Sequence, residues 1–168
     1  MPARSTAPWP PGARSAAPEV EAPFERRRSA FTVSTDPARL DVDVIHGYLT
    51  RSYWAAGIPR DVVARSIEGA LCFGLYEDAL PIGFARVITD RATYAYLADV
   101  FVLDSHRGQG LGVWMMECVM AHPGLQGLRR WSLVTRDAHG LYRRFGFTAL
   151  PAPERYMEKV DAEVYRRR

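Results

Sequence analysis

The sequence predicts one mixed α/β domain, and three observations carry that prediction. Strand-like and helix-like runs alternate along the chain as strand, two helices, three strands, helix, strand, helix, strand. The three central strand runs, 71–76, 82–89 and 95–103, are separated by short turns and form an antiparallel meander. The last of them enters the glycine turn Arg107-Gly108-Gln109-Gly110-Leu111-Gly112, which opens a helix leading to a further strand. A strand–helix–strand unit of this kind makes a parallel pair with a crossover. At 168 residues the chain can bury the core of a single domain.

Residues 1–29 are set apart from the rest. Half of the twelve prolines fall there, among Ala, Ser and Arg. Such a segment buries too little apolar surface to offset its ordering entropy, and a disordered tail is expected, with the domain covering 30–168. The triplets Arg26-Arg27-Arg28 and Arg166-Arg167-Arg168 could touch nucleic acid. With a net charge of only +3 and no interleaved aromatics, solvated ends are the expectation, and no nucleic-acid partner. No apolar run approaches the roughly 18 residues of a membrane helix, and no apolar signal core opens the chain, so a cytoplasmic protein without a membrane partner is expected. Cys72 and Cys118 sit in apolar runs, read as buried reduced thiols, and form no metal set.

The domain opens on the short strand Phe31–Ser34. Asp36-Pro37 starts a helix as N-cap and first-turn proline, and Val44, Ile45, Tyr48 and Leu49 repeat at helical spacing. Gly57-Ile58-Pro59 breaks the chain before a second helix from about Asp61 to Gly69. The runs 71–76 and 82–89 make a hairpin over Glu77–Pro81, and the 95–103 run follows the turn Asp90-Arg91-Ala92. The helix after the glycine turn places Leu111, Met115, Cys118, Val119 and His122 on one core-facing side. It ends at Ala121-His122-Pro123-Gly124, where His122 reads as a capping or surface histidine. Arg130–Thr135 is a strand, Ala138–Phe145 a helix closed by Gly146, and Phe147–Leu150 a last strand.

The glycine turn is where chemistry enters. At a helix start, backbone N–H groups lack intrahelical acceptors and the helix dipole adds positive potential, which together favour a phosphate. Spacing narrows the choice. A dinucleotide site wants Gly-x-Gly-x-x-Gly with an acid about 20 positions on. Here the third glycine comes one residue early, and Trp131-Ser132-Leu133 occupies the acid's region. A triphosphate loop ends in Gly-Lys-Ser/Thr, but Val113-Trp114 follows Gly112. A helix-start turn without a ligand is the remaining plain alternative.

Arg107, Gly110 and Gly112 match the Arg/Gln-x-x-Gly-x-Gly loop of the GNAT acyltransferase superfamily, and downstream Ala138, Tyr142, Gly146 and Phe147 match its Ala-x-x-x-Tyr-x-x-x-Gly-Phe motif. Over residues 30–160 the chain resembles that superfamily. The resemblance implies a central mixed, largely antiparallel sheet with helices on both faces, and acetyl-CoA as co-substrate with no metal. It implies that Arg107, Gly108, Gln109, Gly110, Leu111 and Gly112 hold the pyrophosphate, though Arg107 could instead make a surface salt bridge. Backbone groups around Phe101 and Val102 would hold the pantetheine arm and polarise the thioester. Tyr142 matches the family's general acid, its alternative being a core tyrosine. The family often has Asn where Thr135 stands, so that contact is not carried over.

An alkylamine is mostly protonated near pH 7 and must lose a proton before attack. Asp99 is the only ionisable side chain in its apolar run, and is either that base or a structural partner of Arg86. Tyr53, Trp54 and Tyr94, with Tyr48, are candidates for an acceptor pocket or are core aromatics. Arg155 would meet an anionic acceptor group or make a surface salt bridge. The expected function is acetyl transfer from acetyl-CoA to a small-molecule primary amine. The alternatives are a protein acetyltransferase, which would need an open acid-lined groove, and a non-catalytic acyl-CoA sensor. Many members of the superfamily are dimers, so a homodimer fits the resemblance.

Overall fold

The computed structural model describes residues 22–167, and most of the expected N-terminal tail, together with Arg168, lies outside them. Six strands form one sheet in sequential order: β1 (Glu25–Arg28), β2 (Phe31–Ser34), β3 (Leu71–Glu77), β4 (Leu80–Thr89), β5 (Tyr94–Val102) and β6 (Arg130–Ser132). Neighbours are antiparallel except β5 and β6, which are parallel. The helices are α1 (Val42–Leu49), α2 (Arg60–Glu68), α3 (Leu111–Met120) and α4 (His139–Arg143).

Two cores sandwich the sheet. On one face α1 and α2 contribute Ile45, Leu49 and Val63, which cluster with Cys72, Phe84 and Phe101. On the other, α3 contributes Leu111, Trp114, Met115 and Val119 against Phe73, Ala85, Val87, Ala95 and Leu97. Helices on both faces of a largely antiparallel sheet is the expected fold.

Four details depart from the sequence expectation. Glu25–Arg28 of the expected tail forms an exposed edge strand against β2. Its run Glu-Arg-Arg-Arg has no apolar alternation, and pairing alone makes it a strand. Asp36-Pro37 opens only a single 3-10 turn, and Asp41 caps α1 by accepting from the amides of Asp43 and Val44. His122 caps as expected, accepting from the Gly124 amide at 3.1 Å, but it is buried between Phe24 and Phe73 rather than at the surface. Phe147–Leu150 pairs with no strand among the described residues. Gly146, at φ +84°, ends α4 instead, and the Phe147 amide turns back to the Tyr142 carbonyl at 3.3 Å.

A fifth and most consequential feature is a bulge in β5. Phe84 faces Phe101 and Arg86 faces Ala98, so Ala85 spans both Asp99 and Val100. Asp99 takes up the extra residue at φ +54°, a region that Asp tolerates better than most residues. Side-chain alternation reverses there. Ala95 and Leu97 face α3, whereas Phe101 faces α1 and α2. Beyond Tyr96↔Ser132, β5 and β6 no longer pair.

Candidate active site

Where β5 leaves β6, a pocket of about 540 Å³ opens. Its floor is Val100, Phe101 and Val102 of β5; its walls come from the α1–α2 connection on one side and from Ala138, Leu141 and Tyr142 on the other. A second hollow of about 250 Å³ continues along the loop, lined by Gly108, Gly110, Gly112 and Val102 among others.

The loop is built to expose donors. Gly108 and Gly110 sit at φ +78° and +73°, where a Cβ would add strain. The first helical bond of α3 runs from the Trp114 amide to the Gly110 carbonyl at 3.1 Å. The amides of Leu111, Gly112 and Val113 therefore have no helical acceptor and point out of the N-terminus of a ten-residue helix. That donor set fits a pyrophosphate. Arg107 at its edge is half-exposed and makes the surface salt bridge that was its alternative reading. Its guanidinium donates to the Val102 carbonyl at 3.2 Å and the Tyr48 hydroxyl at 2.6 Å, and pairs with Asp104 at 2.8 Å.

On β5, the Leu103 amide bonds the Ile82 carbonyl at 2.8 Å. Antiparallel bonding alternates, so Phe101 also bonds toward β4, and Val102 turns its amide and carbonyl toward the pocket. Of the two residues expected to offer backbone groups, Val102 turns its amide into the pocket, and its carbonyl is taken by Arg107 Nε at 3.2 Å. Phe101 offers its ring, stacked on Tyr48 with centroids 3.9 Å apart and planes 7° from parallel.

Tyr142 is 8% exposed and lines the pocket. Among the described residues its hydroxyl has no hydrogen-bond partner. Burial pushes its phenol up to about 12, with Tyr53 and the Asp137 carboxylate adding to the shift. The Gly146 turn that ends α4 also sets this ring: Phe147 folds against it with centroids 5.9 Å apart. Thr135 takes a local role, accepting from the Ala138 amide at 3.0 Å.

Asp99 lies behind the pocket wall. One carboxylate oxygen accepts from Arg86 Nε at 2.7 Å, the other from Trp54 Nε1 at 3.1 Å. The Arg86–Asp99 pair is largely buried, with side chains 16% and 10% exposed. Trp54, held this way, meets Tyr53 edge-on at 4.9 Å. Tyr53 accepts from the Arg136 amide at 3.1 Å and carries the Arg136 guanidinium over its ring at 3.8 Å. Tyr48, Tyr53 and Trp54 thus share one wall. Tyr94 does not join them: it starts β5, at the strand end away from the pocket, and its hydroxyl bonds Ser132. Arg155 is likewise outside the pocket, in an exposed 3-10 turn.

Three charged residues with no sequence signal complete the lining. Arg51, Arg136 and Asp137 belong to no motif and flank elements far apart in the chain.

Known proteins resemble the chain in sequence and in fold. A family model described as an acetyltransferase (GNAT) domain matches residues 68–149. A Gibberella zeae protein named as an acetyltransferase is 34% identical over 146 residues, which span 73% of this chain and 81% of that protein. A crystal structure from Xanthomonas campestris pv. campestris, of a protein placed in the GNAT family, is 51% identical with a TM-score of 0.78, covering 80% of this chain and 96% of its own. A Clostridium acetobutylicum protein described as an acetyltransferase and crystallised with acetyl-CoA shares the fold at 14% identity and a TM-score of 0.55, over 71% of this chain and 90% of its own.

Proposed function

The chain belongs to the GNAT family of acetyltransferases, and from that premise we propose that it moves an acetyl group from acetyl-CoA to a primary amine of a small molecule by direct attack on the thioester. The observation that carries the reading is the single pocket in which the free edge of β5, the approach to the glycine loop and Tyr142 meet an aromatic wall. The wall favours a small molecule over a protein. Tyr48, Tyr53 and Trp54 give it an aromatic lining, and that lining holds three arginines against one carboxylate, the reverse of what a basic peptide needs.

Acetyl-CoA supplies an activated acetyl group when bound; the chain supplies position and charge. The amides from Gly108 to Gly112 and of Val113 hold the pyrophosphate, with Arg107 beside them. Val102 offers its backbone amide to the pantetheine arm and to the negative charge that develops on the carbonyl oxygen. Tyr142, protonated throughout the neutral range, gives its proton to the departing sulfur. Asp99 has both oxygens engaged, and its role here is to hold Trp54 and, through it, Tyr53 in the acceptor wall. Three guanidiniums around the pocket disfavour an ammonium, so the amine gives up its proton to bulk water as it enters rather than to a buried base.

The test is thiol release by the purified full chain over a library of small amines and of lysine-bearing peptides, with acetyl-CoA binding followed by calorimetry. Turnover with small amines is expected. Turnover with peptides alone would make it a protein acetyltransferase, and binding without any turnover would make it a sensor.

A further inference from the structure

The arginines of the pocket outnumber what the donor substrate and the fold require. Arg107 is engaged by Val102, Tyr48 and Asp104 at the cofactor loop. Arg136 stacks on Tyr53, and the ion pair it makes, to the adjacent Asp137, is a loose 3.6 Å. Arg51 is different again. It stands exposed in the α1–α2 connection, across the pocket from α4, and also lines an adjoining recess of about 430 Å³ with Tyr48, Ser105 and the Asp104–Arg107 pair. Among the described residues its guanidinium has no hydrogen bond, ion pair or ring contact.

A solvated arginine on a plain surface needs no explanation. Arg51 instead faces a site that must admit an amine, and there a cation is a liability. A pocket meant for a simple alkylamine or a polyamine would place carboxylates here, because like charges repel the incoming ammonium. We propose that the acceptor is an amine that carries an oxyanion, carboxylate or phosphate, on the same molecule, and that Arg51 reads that group with Arg136 flanking it. The planar guanidinium fork matches either oxyanion in a bidentate fashion, which a point cation cannot do. The same charges reject diamines and basic peptides, so one set of residues selects the acceptor and helps strip its proton. This proposal rests on the small-amine reading above and refines it.

The experiment uses the full chain, its Arg51→Gln and Arg51→Lys variants, and matched acceptors: amino acids and aminoalkyl phosphates, their neutral amide and alcohol counterparts, and diamines. Thiol release at saturating acetyl-CoA gives kcat/KM. Calorimetric titration of the same amines onto CoA-loaded protein gives binding whether or not turnover occurs. The anionic amines are expected to exceed their neutral counterparts by about ten- to a hundred-fold, the value of a charge-assisted pair. Arg51→Gln should erase that preference and leave the KM for acetyl-CoA unchanged, while Arg51→Lys restores part of it. The better oxyanion, carboxylate or phosphate, identifies the acceptor type. Equal or better use of neutral amines or diamines would overturn the proposal. So would an Arg51→Gln variant that raises only the KM for acetyl-CoA, which would assign Arg51 to the cofactor's phosphates. Arg51-dependent binding of anionic amines without turnover would uphold the proposal and defeat the transferase reading alone; absence of both turnover and binding would defeat both.

Discussion

Replacing Tyr142 by Phe removes one oxygen and leaves the ring. The hydroxyl has no protein partner among the described residues, so its loss orphans no donor or acceptor. Stability should change by less than about 0.5 kcal/mol. Catalysis should respond more. Burial holds the phenol near 12, and an ordinary thiol sits near 8.5, so proton transfer to a solvated thiolate would run uphill by about 5 kcal/mol at 1.36 kcal/mol for each pKa unit. The sulfur does not leave into water, however. Met115, Leu141 and Val102 line the same pocket and raise the proton affinity of a thiolate there, while the pocket's guanidiniums lower it, so the gap closes only in part. A weak acid facing a fairly good leaving group contributes at the low end of general-acid catalysis, about ten- to a hundred-fold in kcat, or about 1.4–2.7 kcal/mol. The assay is steady-state thiol release at saturating acetyl-CoA and acceptor, with acetyl-CoA affinity and thermal midpoint measured alongside. A kcat within two-fold of the parent would refute the acid role. A fall of several degrees in the midpoint with kcat retained would make Tyr142 a structural tyrosine.

Asp99→Asn should destabilise by about 3 kcal/mol, because it leaves the largely buried Arg86 charge unpaired. It should lower kcat/KM through Trp54 yet keep the shape of the pH–rate profile; loss of that profile's acidic limb in the variant would make Asp99 the base after all. Gly83→Ala should cost more than Gly110→Ala in denaturant titrations. A Cβ at Gly83 would stand 2.8 Å from the Phe101 carbonyl oxygen and 3.0 Å from Leu75, so two strands must part, at about 1–3 kcal/mol. Gly110 has open space around it, and its φ of +73° alone sets a penalty of about 1 kcal/mol. Burial raises Cys72 to about 12 and Cys118 to about 11, which keeps both as thiols, so neither should react with Ellman's reagent at pH 8 until the protein unfolds. Alkaline stability carries the matching sign. Tyr142 and Tyr76 are both lifted to about 12 in the folded chain, so their contribution is intact below about pH 10, the unfolded value, and is lost as pH rises toward 12. Denaturant midpoints across that window should fall less steeply in Tyr76→Phe than in the parent.

The sequence by itself determined whatever depends on neighbours along the chain. The meander, α3, the glycine turn and the Gly146-Phe147 stop after α4 all follow from periodicity and backbone preference. The motif pair placed the glycine turn at the start of α3 and Tyr142 on α4, where both are found. Tertiary structure decided the rest, and each case has a physical cause. Glu25–Arg28 is a strand only because β2 offers an edge to pair with. Phe147–Leu150 is not one, because the helix cap takes the Phe147 amide. Tyr94 and Val102 look equally close to the active strand in sequence, but at about 3.3 Å per residue β5 carries them to opposite ends. The Asp99 bulge matters most. Strict alternation would put Ala95, Leu97, Asp99 and Phe101 on one face; one extra residue turns Phe101 to the other face, just where pairing with β6 stops and the pocket opens. The convergence of Arg51, Arg136 and Asp137 on that opening is likewise a product of sheet register. Local pattern records what each segment prefers, whereas the pocket is formed where segments far apart in the chain meet, and no short-range pattern encodes that meeting.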